Sequence, residues 1–79
     1  MSQQLRKSTV LVFRSNIPDE QTGDRVIAHL KRVEGVSDAN LDLDDWEKIV
    51  RVECSANVLG RQVENIVAQL GYQCSELND

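Results

Sequence analysis

The sequence predicts an α+β fold in which a four-stranded antiparallel sheet carries two helices on one face. Three observations predict it. Apolar residues recur at helical spacing in two stretches, around Val26–Val33 and Leu59–Leu70. Four segments of β-branched or alternating apolar residues surround those stretches. Gly35 and Gly71 stand where each helix would stop, the position glycine favours just past a helix. A chain of 79 residues, 41% hydrophobic and 28% charged, is expected to hold a single core. With Phe13, Trp46 and Tyr72 the only aromatics, aliphatic side chains must fill it.

Residues 1–7 read as a disordered N-terminal tail, and residues 78–79 as a short C-terminal one. The domain is expected over residues 8–77. Its first strand spans residues 8–14. There Val10-Leu11-Val12-Phe13 makes a continuous apolar run of the kind found in central strands. Ser15-Asn16-Ile17-Pro18 breaks it, and Asp19 and Glu20 then suit the positive end of a helix dipole. A helix follows over about residues 22–33, with Val26, Leu30 and Val33 as its apolar stripe and Ile27 beside them. In residues 36–43, Ala39, Leu41 and Leu43 alternate with polar neighbours, giving a half-buried strand. Asp44-Asp45-Trp46 turns the chain. Residues 49–54 alternate again, with Val50, Val52 and Cys54 inward and Arg51 and Glu53 outward. A second helix over residues 57–70 is capped by Ser55 or Asn57, with Leu59, Val63, Ile66, Val67 and Leu70 facing the core. Residues 72–77 form the last strand. With right-handed crossovers this order closes into a ferredoxin-like βαββαβ sandwich whose opposite sheet face stays open.

The net charge is −4, and the nine basic residues are scattered rather than gathered in a stripe. Nucleic acid is therefore not the expected ligand. The acids gather between Glu34 and Glu47, which reads as a solvated hairpin tip or a face for a basic protein. No apolar run is long enough to span a bilayer, and the start lacks a signal-peptide core, so no membrane is expected. Two cysteines are too few for a disulfide framework, which points to a cytoplasmic chain with reduced thiols.

Gly35-Val36, Gly71-Tyr72 and the stripe Val26, Leu30, Val33 are spaced as in one known group of domains. Over residues 8–77 the chain resembles the heavy-metal-associated, copper-chaperone-like domain family. The resemblance implies a first loop of the form Met-x-Cys-x-x-Cys, but here the matching positions hold Ile17, Asp19 and Thr22. Cu(I) takes soft thiolate ligands, and a carboxylate with a hydroxyl does not replace them. The resemblance therefore implies the fold without its metal carriage: a divergent member whose metal site is lost. It also implies that Tyr72 packs beside the first loop and covers Ile17.

Other constellations are weaker. Cys54 and Cys74 fall in the third and fourth strands, on either side of the first. That sets them about 9–10 Å apart laterally, too far for a disulfide. They read as small core residues, or else, with Asp19, as a metal set of a different kind. Asp42, Asp44 and Glu53 echo calcium-loop spacing without its glycine. Phe13-Arg14-Ser15-Asn16 brings acylphosphatases to mind, without their glycines. His29 has no second ligand near it in sequence and reads as a surface residue. Trp46, amid acids, either folds back over the sheet or a helix end, or anchors a protein partner.

The sequence thus points to a non-catalytic domain without a cofactor, binding a protein partner or a second copy of itself. Pro18, Asp44, Asp45, Trp46 and Tyr72 are the expected contacts. One alternative is a metal-binding or metal-transfer protein using Cys54, Cys74 and Asp19. Another is a small-ligand sensor resembling ACT domains, although these usually carry a glycine where Pro18 and Asp19 stand.

Overall fold

The computed structural model describes residues 8–77, so the tails expected at 1–7 and 78–79 lie outside the described residues. The elements run β1 (Ser8–Ser15), α1 (Glu20–Lys31), β2 (Val36–Asp42), β3 (Ile49–Ser55), α2 (Gly60–Gln69) and β4 (Cys74–Glu76). The sheet order is β2-β3-β1-β4, with antiparallel pairing throughout. This is the ferredoxin-like topology the periodicities predict.

The register explains the core. Leu11 lies opposite Val52 and Phe13 opposite Val50, while Ala39 and Leu41 on β2 face those same β3 residues. Side chains directly opposite share a sheet face. Phe13, Val50 and Val52 are fully buried, packed with Val26 and Leu30 of α1 and Val63 and Val67 of α2. The alternate residues turn the other way. Val10 is 53% exposed and Arg51 and Glu53 are exposed, so neither helix covers this second face.

Several boundaries differ from the sequence expectation. α1 begins at Glu20, two residues earlier than expected, because the Asp19 side chain caps it. α2 begins only at Gly60. Neither Ser55 nor Asn57 caps it; Ser55 instead accepts a turn bond from the Val58 N–H, and Val58 drops into the core. Leu59, expected in the buried stripe, is an extended N-cap residue and is 49% exposed. It precedes the helical period, so its side chain does not follow the stripe. At its N–H the Gln62 side chain accepts a 2.7 Å bond, as in half of a capping box.

β4 is three residues rather than six. The reason lies at the end of α2. Gly71 takes φ +98°, its N–H reaches the Ala68 carbonyl, and the Tyr72 N–H reaches that of Val67. Those two bonds make a Schellman cap, so Tyr72 belongs to the helix end and not to the strand.

Candidate functional site

Three connections meet at one end of the sheet, where the resemblance places a metal loop. They are the β1–α1 loop, the β2–β3 turn and the α2–β4 segment. Hydrogen bonds join them. The Ser15 N–H reaches the Glu47 carbonyl at 3.0 Å, and the Ser15 hydroxyl donates to the Lys48 carbonyl at 2.7 Å. On the other side the Asn16 N–H reaches the Gln73 carbonyl at 3.1 Å, and the Gln73 N–H returns to Asn16 Oδ1 at 2.8 Å. Pro18, Asp19, Trp46 and Tyr72, separated in sequence, are therefore carried by segments tied together at this end.

The loop itself is built for structure. Ile17 is fully buried. Asp19 Oδ1 accepts the Thr22 N–H at 2.8 Å, and that bond, with the Thr22 side chain, holds its carboxyl below the ordinary aspartate value. The three metal-loop positions are thus a core anchor, an N-cap and a helix residue. A thiophilic metal finds no sulfur there, so these residues do not fit Cu(I).

The acidic turn is also internally organised. Asp42 Oδ1 accepts the Asp44 N–H at 3.0 Å, Asp45 Oδ1 accepts the Glu47 N–H at 2.9 Å, and Arg14 lies 3.8 Å from the Glu47 carboxylate. Side chains of aspartate often close turns this way. Asp45, expected as a partner contact, is therefore half-buried in its own turn, whereas Asp44 is exposed. The sequence signal for this role was an aspartate within a turn, whose carboxylate reaches the backbone N–H two residues on. Trp46 is 84% exposed. The fold-back alternative is overturned: the short turn is held by its own bonds and points the ring to solvent. Tyr72 packs, half-buried, against the core cluster.

The cysteines do not come together. Both are free and buried. Cys54 lies opposite Thr9 and Cys74 opposite Ser15, at the two ends of β1. Those partners are six residue steps apart, which puts about 20 Å along the strands on top of the lateral spacing expected from strand order. Asp19 follows Ser15 closely and so lies at the Cys74 end only. Among the described residues no three histidine, cysteine or acidic side chains are grouped to hold a metal ion. Burial, with Glu64 second, pushes the Cys74 thiol up to about 12; burial, with Glu76 second, also raises that of Cys54. Both are protonated near neutrality, and a thiol must ionise to ligate. His29 is exposed on α1.

No family model matches the chain, and no curated protein sequence matches it. Solved structures do. Oxidised MerP from Ralstonia metallidurans CH34 superposes with a TM-score of 0.79 at 16% identity, over 91% of this chain and 100% of that one. The N-terminal domain of a potential copper-translocating P-type ATPase from Bacillus subtilis, Cu(I)-loaded, gives 0.77 at 20% identity, over 92% and 95%. The yeast copper transporter domain, studied apo and Cu(I)-loaded, gives 0.75 at 15% identity, over 89% and 96%. The chain has the fold of heavy-metal-associated domains, and its first loop lacks the paired cysteines of that group's motif. No helix among the described residues is long and apolar enough to cross a membrane.

Proposed function

We propose that this chain is a non-catalytic, cytoplasmic docking module. It uses the heavy-metal-associated fold to bind protein rather than to carry metal. The observation that carries the reading is the state of the first loop. Ile17 offers no ligand atom and is buried in the core, Asp19 Oδ1 caps α1, and neither cysteine position of the loop carries a thiol. The same end of the molecule presents what a partner can use: an 84% exposed Trp46, an exposed Pro18 and an exposed Asp44. Tryptophan in such a position is a frequent interface anchor. The acidic balance favours a cationic partner. The open sheet face offers a further surface, for a second copy.

The test is a zinc and Cu(I) titration of the reduced chain, followed by native mass spectrometry. The expected spectrum shows no stoichiometric metal. A one-to-one complex, abolished by replacing Cys74 or Asp19, would establish metal binding through other ligands and sink the reading.

A further inference from the structure

A groove of about 680 Å³ runs between α1 and β2, on the flank of the sheet. Six consecutive residues of the strand side border it, Ala39 to Asp44. Consecutive strand side chains point to opposite faces, so it is the backbone edge of β2, not one face, that borders the groove. β2 is an outer strand of the sheet.

The direction of its backbone groups follows from the bonds. The Glu53 carbonyl accepts the Ser37 hydroxyl at 3.0 Å, so Glu53 faces β2, as does the Ser55 N–H that reaches the Gly35 carbonyl. Asp38, opposite Glu53, therefore turns inward, and so do Asn40 and Asp42. Ala39 and Leu41 turn outward. The Ala39 N–H confirms this by taking its own neighbour, Asp38 Oδ1, at 2.9 Å. The N–H and C=O of Leu41 point from the free edge into the groove. The opposite edge, β4, is short, and its Glu76 N–H is already taken by Glu64 Oε2 at 2.9 Å. One edge is thus closed by a side chain and the other is open beside a cleft.

We propose that this cleft receives an extended, lysine- or arginine-bearing peptide segment of a partner protein, added to β2 as a fifth strand. The proposal rests on the docking reading and names its surface and partner chemistry. Main-chain bonds to Leu41 would supply register, and alternate side chains would enter the groove over Ile27 and Leu41. The charge is complementary to a cation: Glu20, Asp24, Asp42 and Asp44 line the groove, while Lys31, the one cation among the described residues that line it, is paired with Asp38 at 3.5 Å. A second copy fits poorly. Two β2 strands paired about Asn40 would set Asp38 against Asp42 twice, and like charges opposite each other destabilise a ladder.

The experiment is amide-resolved NMR on the full chain, titrated with the acetylated heptapeptide Thr-Lys-Val-Lys-Val-Lys-Thr. Two control peptides are used, one with alternate backbone amides N-methylated and one with glutamate for lysine. The lysine peptide should shift residues 39–44 and the facing side of α1, and slow exchange of the Leu41 amide. Both controls, and the surface variant Asp24→Lys/Asp44→Lys, should weaken binding about tenfold or more. Equal binding of the N-methylated peptide would reduce the effect to charge alone and overturn the proposal. So would no shift at millimolar peptide, or Leu41 protection that rises with protein concentration and no peptide. Shifts confined to residues 16–19, Trp46 and Tyr72 would overturn the groove but leave the docking reading standing. Only the metal titration tests that reading itself.

Discussion

At Asp19 the carboxylate accepts the Thr22 N–H, and this bond to the charged form is what lowers its pKa. The sign follows. A carboxyl depressed in the folded state contributes stability above its unfolded value and loses it as pH falls through the folded one. Asp19→Ala should therefore lower the Tm at neutral pH, and the gap to the parent should narrow in acid. Asp19→Asn keeps the accepting oxygen at every pH and should melt with a flatter acid limb. Thermal melts by circular dichroism across the acid range check both; a gap that stays constant would mean the cap bond is not charge-assisted. Cys74 has the opposite sign. Its thiol is raised to about 12 from an ordinary value of 9.0, so the folded state favours the neutral form. That stabilisation is complete below about pH 9 and is lost as pH rises toward 12. The parent should lose stability over that window more steeply than Cys74→Ala. Near pH 8 the Cys74 thiol should react with a disulfide reagent about a thousandfold more slowly than a free cysteine, and the buried Cys54 thiol should also be slowed. Reaction at the free rate would contradict their burial.

The elements were largely legible, because each carries a period that only one secondary structure satisfies. The helix stripe of Val26 and Leu30, and the alternation Val50, Val52, Cys54, are both buried as read. What the period did not reveal is where an element is cut off. α2 starts late because Val58, two residues before Gly60, enters the core from a turn closed by its N–H on the Ser55 carbonyl. Gly23 is a second case. A glycine within a helix costs about 1 kcal/mol against alanine. The structure gives its reason: a Cβ there would lie 2.5 Å from Leu41 Cδ2, the side chain that walls the groove. The helix gives up propensity so that β2 can approach. Gly23→Ala should thus gain about 1 kcal/mol in a Leu41→Ala background and clearly less, or nothing, in the parent. Urea denaturation of the four chains measures the coupling. Equal gains in both backgrounds would show that the contact does not constrain the helix.

Across the whole molecule, the alternation assigned residues to faces without fixing how far strands slide past each other. That is why the sequence separates Cys54 and Cys74 only laterally, by two strand spacings, while pairing also sends them to Thr9 and Ser15 at opposite ends of β1. The site suffered the same way: the loops that meet around Ser15 are joined by backbone bonds that no residue type announces. The two faces of the sheet, by contrast, can be told apart by one pair of substitutions on β1. Phe13 is fully buried at the centre of the core, and Val10 is 53% exposed on the face without helices. A chain of this length is stable by only about 4–12 kcal/mol, and truncating a buried phenylalanine to alanine costs about 3–5 kcal/mol. Phe13→Ala should therefore leave a marginal or unfolded protein, while Phe13→Leu, which refills most of the space, should remain folded. Val10→Ala and Trp46→Ala should each stay within about 0.5 kcal/mol of the parent in the isolated chain. Denaturation midpoints by circular dichroism decide the matter. A Val10→Ala loss as large as that of a core residue would mean that the isolated chain already covers its open face, most simply with a second copy. The unfolding midpoint of the parent should then shift with protein concentration more than that of the variant, since a dimer links folding to assembly.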